Sequence, residues 1–250
     1  MTTTEASGSG DLARTLDLLW DTAPRPTRGP KPGLTLDGII AAAVKVADEE
    51  GLAAVTMRRV ATELGTGTMS LYRYVPGKAE LLDLMLDRAQ APAGPLPEDG
   101  GWRAALEALA YEQLEMFRAH PWLLQVDQSR PVIGPGAAMG MELVLARIKA
   151  MGLPDVELVS VVVTISGYVT GLARNQLYER EAERSSRMTE DEFWNTQGPY
   201  LTNAISSGRF PTLASLSEDA FGSEFDHFAF GLHRLLDGLE AYVRQRNTKD

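Results

Sequence analysis

Residues 56–78 read TMRRVATELGTGTMSLYRYVPGK, and the fold turns on how this stretch is parsed. Thr56 offers an N-cap hydroxyl, Val60 and Leu64 follow at helical spacing on one face, and Gly65 ends the run. After a three-residue turn, a second short helix begins near Thr68 and continues to about Tyr74, where Pro76 breaks it. Two helices joined this way form a helix-turn-helix, whose second helix fits a DNA major groove if its outward side chains are compact or suited to base edges. Thr68, Met69 and Ser70, with Arg73 one turn on, meet that need, while Leu71 points back to the core. Tyr72 and Tyr74 can each give a hydroxyl to phosphate, and Lys78 adds charge at the start of the following helix. Arg58 and Arg59 lie in the first turn of the preceding helix, where an arginine can reach phosphate or a guanine edge.

Working outward, Thr35 caps an upstream helix with Asp37 in its first turn, Ile39, Ile40, Ala43, Val44 and Ala47 on its apolar face, and Gly51 as its stop. Downstream, residues 78–89 form a further helix burying Leu81, Leu82, Met85 and Leu86. Residues 1–10 are small and polar, as disordered segments are, and a short helix is expected over 12–20. The stretch APRPTRGPKPG at 23–33 has four prolines and favours an extended arm. APAGPLPEDG, at 91–100, reads as a linker. Beyond it helical periodicity dominates, with candidates at 102–119, 137–151, 155–181, 189–206 and 223–246. The expected fold is all-α. It comprises an arm (1–33), a helix-turn-helix domain (34–90), a linker (91–100), a larger helical domain (101–246) and a tail (247–250).

The formal net charge is −10, which sets the whole chain against nucleic acid. The acidity is uneven: residues 25–88 carry nine Lys/Arg against eight Asp/Glu, while residues 91–250 carry 14 against 22. Exposed charges farther apart than about 10 Å are largely screened at 0.1 M salt, so the acidic bulk weighs little on the proposed interface. Cysteine is absent, which excludes disulfides and thiolate metal sites. The first 20 residues lack a secretory pattern, and the apolar stretch 158–172 falls short of the roughly 18 residues of a membrane span. A soluble cytoplasmic protein is expected.

The segment from LTLDGII through TMRRVATELG, SLYRYV and GKAELL to DLMLD closely resembles the amino-terminal domain of the tetracycline-repressor (TetR) family over about 55 residues. The resemblance implies phosphate contacts at Thr56, Tyr72, Tyr74 and Lys78. It places Arg58, Thr68, Met69, Ser70 and Arg73 against bases or the groove wall. Two positions depart from the family pattern: Thr66 stands where an apolar residue is usual, and Gly67 replaces the commoner cap of the recognition helix. Arg28 and Lys31 on the proline-rich arm suit a narrow minor groove, but a solvated linker is the simpler reading.

In this family the remaining helices hold an effector pocket and a dimer interface. Ser160, Thr164, Gly167 and Gly171 form a stripe of small residues that lets another helix approach closely, and Phe228, Leu232, Leu235 and Leu239 form an apolar face on the last helix. These two helices are the expected homodimer contact, although both stripes suit packing within one subunit. Gln113, Trp122, Tyr168, Asn175 and Trp194 are candidate effector contacts, with ordinary core packing as the alternative. No catalytic constellation is present: IGPGAAMG at 133–140 has no preceding strand, Ser166 lacks the glycine of a nucleophile elbow, and His120, His227 and His233 form no i, i+4 metal pair. The expected function is a ligand-responsive, dimeric transcriptional repressor that binds a palindromic DNA operator and a small-molecule effector, with no cofactor. The alternative is a helical small-molecule-binding protein or enzyme whose DNA-binding domain is vestigial.

Overall fold

The computed structural model describes residues 5–22, 34–97, 99–186, 188–217, 220 and 225–248. Arg28 and Lys31 lie outside them. The described helices are α1 (Leu12–Leu19), α2 (Leu36–Glu50), α3 (Met57–Glu63), α4 (Thr68–Leu71), α5 (Lys78–Ala89), α6 (Gly101–Ala119), α7 (Pro135–Ile148), α8 (Asp155–Ser186), α9 (Glu190–Ala204), α10 (Pro211–Ala214) and α11 (His227–Asn247). Among the described residues there is no strand, and one parallel bridge pairs Ala6 with Asp127. The all-α expectation is met.

Local chemistry sets the ends of the first helices. The Thr35 hydroxyl accepts from the Gly38 amide, the Thr56 hydroxyl accepts from the Arg59 amide, and α2 closes on Gly51, whose φ of +86° favours glycine. Ile39, Ala43, Val46, Val60, Leu71, Val75, Leu81, Leu82 and Met85 from α2–α5 and the turn after α4 meet in one core. Trp122, Leu123 and Val126, from the turn after α6, belong to that same core. A second core joins Leu106, Ala110 and Leu114 of α6 to Val144 and Ile148 of α7, Val161, Ile165 and Val169 of α8, and Phe228, Leu232 and Leu236 of α11. Leu96, inside the segment expected to be a linker, is buried in this second core.

The seam between the two cores combines Phe117, which packs against both, with polar contacts. Asp48 of α2 faces His120 Nδ1 at 2.7 Å and accepts from the Trp122 indole N–H at 2.8 Å. Asp87 of α5 accepts from the Gly136 and Ala137 amides at the start of α7, at 3.1 and 3.0 Å. A Cβ on Gly136 would collide with the Asp87 backbone carbonyl, so the chain needs glycine for this close approach.

Two expectations change. From Glu5 on, the segment expected to be a loose arm is docked: the Ser7 hydroxyl and Gly8 amide donate to Asp83, the Asp11 amide donates to Glu80, and Thr15 is fully buried. The acceptors are α5 carboxylates that no hydrophobic pattern announces. The helix expected over 189–206 ends in a π turn at Ile205–Arg209, where Gly208 adopts a φ of +75°, before α10. By length and composition α8 contains an 18-residue stretch apolar enough to cross a membrane, but its Leu158, Val161, Val162, Ile165, Val169 and Ala173 face the second core.

Candidate nucleic-acid interface

The Val60, Leu71 and Val75 side chains are fully buried and fix α4 against α2, α3 and α5. Gly67 supplies no side-chain cap, so the four-residue α4 is held by Leu71 rather than by its own ends. Its other side is open: Met69 is 76% exposed, Tyr72 45%, and Arg73 is exposed, with Thr68 and Ser70 half-buried beside them. A large apolar side chain held in water by a buried neighbour gains nothing for the monomer, and a base edge or thymine methyl is a natural partner for it.

The two arginines of α3 have separate fates. Arg59 donates to Glu50 at 2.5 Å and lies 2.9 Å from Glu63, which also accepts from Lys45 at 2.6 Å. Hydrogen bonds to Glu50 and then Glu63 push the Arg59 pKa up, and those from Lys45 and then Arg59 hold the Glu63 carboxyl below its usual range. Arg59 is thus committed to the scaffold. The Arg58 and Arg73 guanidiniums are exposed and have no ion-pair partner among the described residues, so they are available to an external anion. Thr56 is exposed, and although its oxygen caps α3, its hydroxyl proton is still available for donation.

Two expected phosphate contacts are engaged elsewhere. The Tyr74 hydroxyl donates to the Leu34 carbonyl at 3.0 Å and braces the start of α2, so it has no proton left for phosphate while that bond stands. Lys78 Nζ donates to the Glu5 carboxylate at 2.7 Å. Sequence reasoning missed this ion pair because its partners lie 73 residues apart.

This arrangement matches a known family along most of the chain. Residues 39–85 match the model for bacterial regulatory proteins of the tetR family, and residues 94–243 match the tetracyclin repressor-like C-terminal domain. The protein belongs to the TetR family. Among curated relatives, the HTH-type transcriptional repressor DrrR1 of Streptomyces coeruleorubidus is 64% identical over 245 residues, covering 97% of this chain and 91% of that protein. Among solved structures, apo ActR of Streptomyces coelicolor superposes with a TM-score of 0.68 at 30% identity, covering 87% of this chain and all of that one. ActR in complex with actinorhodin gives 0.69 at 31% identity, covering 84% of this chain and 97% of that one. The chain is therefore a DNA-binding, ligand-responsive regulator of transcription.

The candidate effector contacts of this TetR-family chain do not all converge. The Gln113 amide of α6 donates to the Ser166 hydroxyl of α8 at 3.0 Å, and its own carbonyl oxygen is buried with no partner. Tyr168 donates to the carbonyls of His227 and Phe228 at 3.0 and 2.9 Å, and its ring lies 5.8 Å from that of Phe228, which also meets Tyr111. Gln113 and Tyr168 thus lie on the α6–α8–α11 seam. Asn175 and Trp194 are exposed on α8 and α9, and Trp122 is 1% exposed in the first core, so these three line no common cavity with Gln113. A cleft bordered by Phe117, Leu124, Ala173, Leu177, Arg118 and Arg180 offers about 20 Å³, room for one water.

The dimer stripes also divide. Ser160, Thr164, Gly167 and Gly171 are exposed, together with Val156, Val159 and Val163 on the same helix. Phe228 and Leu232 are buried in the subunit's own core, and Leu235 and Leu239 pack against it, so the apolar face of α11 is turned inward. Its outward residues include Phe230, Arg234, Gly238 and Tyr242. An apolar stripe shows that a helix has a buried face but not what covers it, and here the subunit's second core does so.

Proposed function

We propose that the protein is a homodimeric repressor that binds a palindromic operator and is released by a small molecule. The observation that carries this reading is the division of α3 and α4 into a fully buried support and an open face bearing Arg58, Met69, Tyr72 and Arg73. Thr56, Tyr72 and, when unpaired, Lys78 contact phosphate. Arg58, Thr68, Met69, Ser70 and Arg73 face bases or the groove wall. Repression is supported by the name of DrrR1, and binding of a small molecule by the ActR complex with actinorhodin. Residues 34–90 form the DNA-binding unit, and residues 101–246 the effector and dimerisation unit, in a protein that works in the cytoplasm.

The second subunit covers the outward stripe of α8, where Val156, Val159, Val163 and the small residues Ser160, Thr164, Gly167 and Gly171 lie open. Two recognition helices then meet successive major-groove faces about 34–36 Å apart. The effector enters between α6 and α8, where the orphaned Gln113 carbonyl accepts a donor from it. Drug-sized ligands need roughly 300–1,000 Å³, so binding separates these helices. Release follows only if the effector binds the separated form more tightly than the DNA-competent one.

The test is fluorescence anisotropy of the full chain with DNA flanking its own coding region against scrambled DNA, at two salt concentrations. Preference for the native sequence, lost on Arg58→Ala with Tyr72→Phe, is the expected result. Equal, weak binding to flanking, scrambled and randomised-library DNA would overturn the reading.

A further inference from the structure

Residues 5–20 form a strap that lies across the seam, and both sides hold it. On the DNA-binding side, the Ser7 hydroxyl donates to Asp83 at 2.7 Å, the Gly8 amide donates to the same carboxylate at 3.1 Å, and the Asp11 amide donates to Glu80 at 2.8 Å. On the side of the larger domain, the Ser7 amide donates to the Asp127 carbonyl at 3.0 Å and the Asp127 amide to the Glu5 carbonyl at 2.9 Å. The Val132 amide donates to the Ser7 oxygen at 3.1 Å, and the Trp20 indole to the Ile133 carbonyl at 3.2 Å. A Cβ on Gly10 would collide with the Glu80 carboxylate, so a larger residue there would displace the group that accepts from the Asp11 amide.

These bonds fix the backbone of Glu5, and Glu5 presents its carboxylate to Lys78 Nζ at 2.7 Å. Both side chains remain partly open to water, so an arriving anion can reach the ammonium. A solvent-exposed pair between free side chains is worth little because each must give up its freedom to meet. Here the carboxylate is delivered already placed.

We propose that Glu5 is a built-in competitor of the operator, its carboxylate occupying on Lys78 the position a DNA phosphate takes. The inference rests on the reading of Lys78 as a phosphate contact. The strap is bonded both to α5 and to the 127–133 loop, so a change in the angle between them moves Glu5 relative to Lys78. Occupancy of the lysine is thereby tied to the arrangement of the two domains, and DNA and strap exclude one another at this position.

The experiment is a double-mutant cycle on the full chain with Glu5→Gln, Lys78→Gln and both together, measured by anisotropy on selected operator DNA at low and moderate salt. Glu5→Ala serves as a second variant, and thermal melting confirms that each is folded. Glu5→Gln is expected to tighten binding about two- to fivefold at low salt. It should also steepen the dependence of log K on log salt by up to about 0.9, the value of one added phosphate contact. Lys78→Gln should weaken binding and abolish the effect of Glu5→Gln. A gain that persists in the Lys78→Gln background is general charge repulsion and overturns the competition. Unchanged or weaker binding by Glu5→Gln, with Lys78→Gln still harmful, overturns it too and leaves the phosphate contact standing. If Lys78→Gln has no effect, the phosphate reading itself has failed, and this inference with it.

Discussion

Replacing Asp48 with alanine removes the one oxygen that receives both the Trp122 indole N–H, at 2.8 Å, and His120 Nδ1, at 2.7 Å. Trp122 is 1% exposed, so its N–H is left buried without a partner. An unsatisfied buried donor costs about 1–3 kcal/mol. The His120 link, a quarter open to water, adds about 0.5 kcal/mol. A chain of this size loses about 2–4 °C of melting temperature per kcal/mol, which places Asp48→Ala about 3–14 °C below the parent. Asp48→Asn keeps a carbonyl oxygen for the indole and loses only the charge-assisted part, so it should cost about 1 kcal/mol. Urea and thermal melts of the three proteins provide the assay. A Asp48→Ala variant within about 0.5 kcal/mol of the parent, or indistinguishable from Asp48→Asn, would refute the claim that this acceptor holds the seam.

Two residues of α4 should separate stability from recognition. Leu71→Ala removes a fully buried side chain and should cost about 2–5 kcal/mol together with DNA binding, whereas Met69→Ala should leave the urea midpoint unchanged and alter preference among operator variants at thymine positions. The Glu63 carboxyl, held below its usual range by Lys45 and then Arg59, contributes stability that is present above the ordinary glutamate pKa and lost as pH falls through the lowered folded value. Glu63→Gln should therefore lose stability near neutral pH and show a flatter acid limb in a pH series of melts; an acid limb parallel to the parent's would refute it.

The helices of the first core were legible because their signals are local. Thr35, Thr56, Gly51 and Gly65 are caps and stops, and the residues they punctuate lie within a few positions of them. What could not be read depends on partners distant in the chain. Nothing near Lys78 announces Glu5, and nothing near Asp48 announces Trp122, which on sequence was a candidate effector contact weighed against ordinary core packing. Phe228 and Leu232 show the same limit: periodicity identified their face correctly but could not say whether it met α6 and α8 of the same subunit or a second copy. At the interface, Arg58 and Arg59 are adjacent in sequence and chemically alike, and only the positions of Glu50 and Glu63 decide which one is left for DNA.

Trp122, Leu123 and Val126 are contributed by the larger domain, yet they are buried in the core of the helix-turn-helix unit. The physical border between the two units therefore does not follow the chain: Trp122, Leu123 and Val126, beyond α6, are by burial part of the DNA-reading head, while Leu124 between them is buried in the second core. Excising the head at the 91–100 segment would leave an open apolar socket where the tryptophan sits. An engineer grafting this head onto another sensor would need to transplant Pro121–Val126 with it, or refill the socket from the new body. Within the family, operator choice can then be exchanged cheaply only between chains whose sensors already carry a matching plug.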